Sequence, residues 1–342
     1  MTKKRILSLI LLLALLTGCT VQPGKPPLKQ YQATFLDLFD TVTTVLGYAP
    51  SEAEFSVEAG RVHDRLLHYH RLFDIYNDYE GLTNLKTLND SAGAGPVAVG
   101  EELMELLLDC REAYERTGGT VNVFFGSVLK LWHDARTEAI DSPSGAALPA
   151  PEALAAASAH ADPDSVLLDE KAGTVTIMDP ELRLDVGAVA KGWAAQRVAE
   201  QSPAGMLISV GGNVCATGPK PSGQDWVVGV QSPEENSGYL HTLNISRGAV
   251  VTSGDYQRYF ILDGKRYHHL IDPVTLQPGS YWRAVTVVCG DSALADCLST
   301  ALFLMDQERG QALLEQCEAE AMWIDDTGAA FYSPGFRDFI RN

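Results

Sequence analysis

The chain has 342 residues, 46% of them hydrophobic and 20% charged, with a formal net charge of −18. That is globular composition with ample apolar material for a large core. An acidic surface of this size repels phosphate backbones and anionic lipid, so nucleic acid is excluded as a partner and charge cannot provide membrane attachment.

MTKKR supplies a basic start, ILSLILLLALL an apolar run, and LTGC a small-residue site ending in Cys19. The apolar run has eleven residues, whereas a membrane span needs roughly twenty. The layout is therefore that of a secretory signal. Leu16-Thr17-Gly18-Cys19 resembles a bacterial lipobox, which implies cleavage before Cys19, lipid on its sulfur, and anchorage to the cell membrane at the extracytoplasmic face. A plain cleaved secretory peptide is the alternative. Loss of residues 1–18 removes Lys3, Lys4 and Arg5 and no acid, which takes the formal charge to −21. VQPGKPPLKQ is rich in proline and reads as a tether. The expected organisation is a signal over 1–18, a flexible tether over 19–32 and one folded unit over 33–342.

TFLDLFDTVTTVLGY alternates as a strand or hairpin, and EFSVEAGRVHDRLLHYHRLFDIY carries apolar residues at helical spacing. EELMELLLDCREAYERTGG predicts a second helix closed by its glycine pair, and TVNVFFGSVLKLWHD a short one. Residues 140–152 are rich in Ser, Pro, Gly and Ala and mark a loop or insertion. SVLLD, TVTIM and LRLDV read as strands, followed by a helix from about Ala188 and then MLISVGGN. Further strands are WVVGVQ, LHTLNIS, AVVTS, RYFILDG, KRYHHLID and RAVTVVCG, with helices around ALADCLSTALFLM and QERGQALLEQC. Runs of strands between helices without regular alternation predict an α+β fold. Cys110, Cys215, Cys289, Cys297 and Cys317 are widely spaced with no C-x-x-C, so they read as buried core residues.

Chemistry-bearing residues gather in the second half. Asp296 and Thr300 lie four apart on one helix face. They offer two hard oxygens suited to Mg²⁺, or else a solvated acid and a threonine bonded back to its own helix. HHLIDPVTLQPG presents His269 as a general base, with His268 competing for the role; either could be structural. SVGGN and VTSGDY end strands in glycines and hydroxyls, as anion-binding strand ends or as tight turns. DVGAVAKG, at 185–192, spaces an acid and a lysine with small residues that allow close backbone approach to a ligand or another element. No G-x-G-x-x-G, Walker-type phosphate loop, G-x-S-x-G or H-E-x-x-H is present.

In their order and gaps, DVGAVAKG, SVGGN, TSGDY, HHLIDP and ALADCLSTAL resemble the FAD:protein FMN transferase family, also called ApbE. Its members carry D-x-G-x-x-A-K-G, a strand-end GG, T-S-G, H-x-I-D-P and A-D-x-x-x-T-A. The likeness covers about residues 33–340 and includes FDT at 39–41, the Tyr76 region and GSVLKLW at 126–132.

The resemblance implies an ApbE-type α+β fold, FAD as substrate and Mg²⁺ as cofactor. It also implies transfer of the FMN half onto a threonine hydroxyl of an exported flavoprotein, with release of AMP. Asp185 and Lys191 fall at dinucleotide-contacting positions, and Ala188 at the position whose carbonyl serves the metal. Asp296 and Thr300 match its side-chain ligands. Ile271 falls at a flavin-contact position, and Phe39, Tyr76 and the run Thr120-Val121-Asn122 where other members line the same pocket. Two departures stand out: Asn122 and Ser299 replace acids that some members carry, which implies fewer charges and more water around the metal. The rival readings are an FAD diphosphatase giving FMN and AMP, a non-enzymatic flavin-binding lipoprotein, and a structural surface lipoprotein.

Overall fold

The computed structural model describes residues 26–234 and 237–341; the signal segment 1–18, Cys19 and the tether to residue 25 lie outside them. The tether is shorter than expected, because β1 (Lys29–Leu38) pairs with β2 (Thr41–Ala49) from Lys29 onward. The ladder takes up backbone groups that a tether would leave to water.

The hairpin leads into α1 (Glu52–Leu72), started by Ser51, whose Oγ accepts from the Glu54 N–H. Next come α2 (Leu85–Asp90), β3 (Val97–Ala98) and α3 (Glu101–Arg116). A 3-10 turn at Val123–Phe125 runs into α4 (Gly126–Asp141), which at sixteen residues is longer than the short helix expected. The polar loop that follows yields to α5 (Pro151–Ser158), β4 (Val166–Asp169) and β5 (Thr174–Ile177).

LRLDV, expected as a strand, joins no sheet. Its backbone groups are taken by the 3-10 turn, by the first residue of α4 and by one side chain. Gly126 N donates to Arg183 O at 2.9 Å and Asp185 N to Val123 O at 2.8 Å. The Asn89 side chain accepts from Leu184 N at 2.7 Å and donates to Leu184 O at 3.0 Å. The segment is buried like a strand but satisfied by other means.

After it, α6 (Ala190–Glu200) begins two residues later than expected, behind a turn at 187–189. The remaining elements are β6 (Leu207–Val210), β7 (Asn213–Ala216), β8 (Trp226–Gln231), β9 (Tyr239–Ile245), β10 (Gly248–Gly254), β11 (Tyr259–Leu262), β12 (Lys265–His268) and β13 (Ala284–Cys289). Then follow α7 (Ser292–Phe303), α8 (Gln307–Leu314), β14 (Ala319–Ile324) and β15 (Ala330–Tyr332).

One eight-stranded sheet runs β1-β2-β6-β7-β10-β13-β14-β15, with small sheets β11-β12, β3-β5-β4 and β8-β9 beside it. Every pairing is antiparallel, and helices cover one face of the large sheet, so the fold is α+β as expected. The pleat divides β10: Ala249 and Val251 point to the helices α1, α3, α6 and α7, while Val250 points to the β8–β9 hairpin through Trp226 and Leu243. Helix α7 is buried from Ala295 to Phe303, which explains its unbroken apolar run. Cys110, Cys215, Cys289 and Cys297 are buried and unbridged, as expected of core residues, whereas Cys317 is only half-buried. Among the described residues no helix is long and apolar enough to cross a membrane.

Candidate active site

The DVGAVAKG bend closes against α7. Asp185 Oδ1 accepts from Gly187 N at 2.8 Å, which tightens the turn before α6. At Gly192 the two helices meet backbone to backbone: a Cβ there would lie 2.3 Å from Ser292 O and 2.4 Å from Asp296 Cβ. The smallness of this residue therefore serves a helix crossing. It also leaves the Gly192 N–H free to donate to Asp296 Oδ2 at 2.8 Å, with Lys191 Nζ 3.7 Å from Oδ1. Asp296 is only 3% exposed.

One turn on, α7 presents two hydroxyls with different fates. Ser299 Oγ bonds Asp296 O at 3.0 Å and Ser253 Oγ at 2.8 Å, so it is spent inside the protein. Thr300 does not bond back to its helix; its hydroxyl meets Ser253 Oγ at the long distance of 3.5 Å and lines a cavity. The site thus holds the Asp296 carboxylate, the Thr300 hydroxyl and Ala188 in its wall. Among the described residues no cluster of three or more His, Cys, Asp or Glu forms. One carboxylate with neutral oxygens suits a hard cation that keeps water and leans on substrate phosphate, so the residues present fit Mg²⁺.

This cavity, of about 730 Å³, gathers Asp185, Ala188, Lys191, His269, Ile271, Asp296 and Thr300. Phe39, Tyr76, Thr120, Val121 and Asn122 line it too. The last three contribute unequally. Val121 is 1% exposed and belongs to the core, and Asn122 Oδ1 is engaged in capping Phe124 N at 2.9 Å. Tyr76 is 59% exposed, its ring 5.5 Å from that of His133.

Phe39 and Asp40 form the two-residue turn of the β1–β2 hairpin with φ of 53° and 50°. A phenylalanine there is unusual and strained. Side chains hold the strained peptide on both sides: Phe39 N donates to His70 Nδ1 at 3.1 Å, and Arg258 Nη2 donates to Phe39 O at 3.4 Å. SVGGN is a tight hairpin turn, with Gly211 and Gly212 at φ of 58° and 92°; it still borders the cavity through Gly211.

The two histidines separate cleanly. His268 accepts from Leu270 N at Nδ1 (3.2 Å) and donates from Nε2 to Gly279 O (2.9 Å), so both ring nitrogens are used and the ring is a structural brace. His269 Nδ1 lies 3.2 Å from Arg258 O, a carbonyl that can only accept, which fixes the proton on Nδ1 and leaves Nε2 as an acceptor. Burial within the cavity wall, reinforced by Arg258, pushes the His269 pKa down to about 3, so the free protein holds it neutral. Burial also raises the carboxyl of Asp185.

Sequence reading missed Arg136, Arg258 and His133, which line the same cavity. His133 and Arg136 are three apart on α4, and Arg136 Nη2 donates to His133 Nδ1 at 3.2 Å. The helical spacing was legible, but nothing local says that this face of α4 meets the bend at Asp185. With Lys191, the two arginines bring three cations to the cavity of a strongly acidic chain, an arrangement that favours an anionic ligand.

A family model, that of the ApbE family, matches residues 39–323. The chain is 33% identical over 261 residues to a protein of Klebsiella pneumoniae (strain 342) named FAD:protein FMN transferase, covering 72% of this chain and 78% of that one. It is 34% identical over 280 residues to a Treponema pallidum (strain Nichols) protein of the same name, covering 75% of each. Among solved structures, the ApbE protein of Thermotoga maritima superposes with a TM-score of 0.81 at 26% identity, over 92% of this chain and 100% of that one. The flavin transferase ApbE of Vibrio cholerae shares the fold, with a TM-score of 0.76 at 24% identity over 92% and 100%.

Proposed function

Since the chain belongs to the ApbE family, we propose that it is a transferase that moves the FMN half of FAD onto a threonine hydroxyl of an exported target flavoprotein, releasing AMP. The observation that carries this reading is the meeting, in one cavity, of the carboxylate and hydroxyl of α7, the bend at Asp185 and an imidazole whose Nε2 is free to accept. The Asp296 carboxylate, the Thr300 hydroxyl and the Ala188 carbonyl would hold Mg²⁺. Bound there, the ion would supply charge neutralisation to the diphosphate and Lewis-acid polarisation to the phosphoryl group being transferred.

The chain's own groups perform the rest. Lys191, Arg136 and Arg258 hold the diphosphate, and Asp185 orients the dinucleotide at the bend. His269 Nε2 takes the proton of the acceptor hydroxyl while its Nδ1–H stays on the Arg258 carbonyl. The threonine oxygen then bonds to the phosphorus of the FMN half, and the P–O bond to the AMP half breaks, with AMP leaving as its phosphate. The negative charge of the departing oxygen falls among the three cations. Lipid on Cys19 would place this reaction at the extracytoplasmic face of the cell membrane.

The reading is tested by incubating the protein with FAD and Mg²⁺, with and without an exported flavoprotein that carries an acceptor threonine. Mass spectrometry should find FMN attached to threonine and AMP in solution. Free FMN in equal yield with and without acceptor would make the protein a diphosphatase. FAD bound but unconverted, indifferent to chelation, would make it a binding protein.

A further inference from the structure

The Asp296 side chain is 5% exposed, and a carboxylate so enclosed needs a counter-charge. Its Oδ2 is satisfied by the Gly192 N–H at 2.8 Å, at the N-terminal end of the eleven-residue helix α6. Its Oδ1 instead faces the ammonium of Lys191 at 3.7 Å, too far for a direct hydrogen bond but close enough for a strong Coulomb attraction. With Oδ2 taken by the Gly192 N–H, Oδ1 is the carboxylate oxygen left for a metal, and this ammonium faces it. A dication and an ammonium on one carboxylate oxygen repel each other, and a single carboxylate cannot neutralise both. The Lys191 side chain is flexible and 24% exposed, and it lines the same cavity. It can therefore leave Asp296 without leaving the site.

We infer that Lys191 is the resident counter-ion of Asp296, that a divalent cation must displace its ammonium to bind, and that the displaced ammonium then pairs with the diphosphate, making metal and dinucleotide bind cooperatively. This rests on the Mg²⁺ reading under Proposed function. By linkage, whatever the diphosphate adds to metal affinity the metal adds to diphosphate affinity. In the protein without nucleotide, Lys191 competes with free metal for Asp296 and weakens its binding.

The test uses Mn²⁺ as the metal probe and ADP as the diphosphate probe, with binding to the purified protein read by calorimetry or electron paramagnetic resonance. Without ADP, Lys191→Met should bind Mn²⁺ on the order of tenfold more tightly than the parent, and Lys191→Gln should behave the same way. With ADP, the parent should gain Mn²⁺ affinity and Lys191→Met should lose most of that gain. Equal or weaker Mn²⁺ binding by both lysine variants overturns the inference, and the metal site itself still stands if Asp296→Asn abolishes binding. If the parent binds no Mn²⁺ with or without ADP, the metal reading falls and this inference falls with it.

Discussion

The Gly192 N–H donates to Asp296 Oδ2 at 2.8 Å across the crossing of α6 and α7, so the last residue of the DVGAVAKG bend and the first acid of ADCLST form one structural unit. Two motifs 104 residues apart are joined by a backbone hydrogen bond that only a close helix crossing allows.

Gly192→Ala should break this unit. Its Cβ would meet Ser292 O and the Asp296 Cβ far inside van der Waals contact, and neither neighbour is a flexible chain end. The cost should be about 1–3 kcal/mol of stability, seen as a lowered Tm, with turnover lost before the fold is.

Removing the free nitrogen should slow chemistry without removing substrate. His269→Ala is expected to reduce FMN transfer by about 10²–10⁴ while FAD affinity, read by fluorescence quenching, stays near the parent's. His268→Ala should behave differently, leaving a buried carbonyl and N–H unpaired at a cost of about 1–3 kcal/mol. A large kcat loss in His268→Ala at unchanged Tm would reassign the base.

On the proposed Mg²⁺ site, Asp296→Asn and Thr300→Val should each abolish most turnover, because each removes one of the two side-chain oxygens offered to the ion. Chelation of the parent should match the stronger of the two. Ser299→Ala removes no cavity oxygen and should cost stability only, through Ser253 and the Asp296 carbonyl.

Acid should destabilise the protein from about pH 6.5 downward. His133, His241, His268 and His269 all have folded pKa values lowered, with burial the first cause in each. Their stabilising contribution is complete above the unfolded value of 6.5 and is lost as pH falls, because the unfolded chain gains protons that the fold refuses. His63 acts in the opposite sense. Its pKa is raised by Asp37 and Asp64 against the lowering effect of burial, so its contribution is held below 6.5 and lost only as pH rises above it. A Tm that stays flat between pH 7 and pH 5 would contradict this balance. In the same range kcat/KM should show no acid limb from His269, which the free protein holds neutral to about pH 3.

Much of this was legible because short-range rules govern it. The α+β class, the strand character of the first segment, the first helix and the buried run of α7 follow from apolar period; that the first segment folds back as a hairpin was left open, because its turn is the strained Phe39–Asp40 pair. LRLDV was misread because burial looks the same whether a strand ladder or the Asn89 side chain satisfies the backbone. The choice between His268 and His269 was closed to sequence, since it turns on which ring nitrogen finds a carbonyl.

By itself the sequence determined which residues have the chemistry: a carboxylate and hydroxyl one helical turn apart, an acid and lysine flanking a small-residue bend, and a histidine pair before Asp-Pro. Tertiary structure alone decided that these share a cavity, that Ser299 turns inward while Thr300 turns out, and that Arg136 and Arg258 join them. The reason is physical. Local spacing fixes which face of an element a side chain occupies, but which faces meet depends on packing between residues a hundred or more positions apart, and a glycine at the crossing sets how closely.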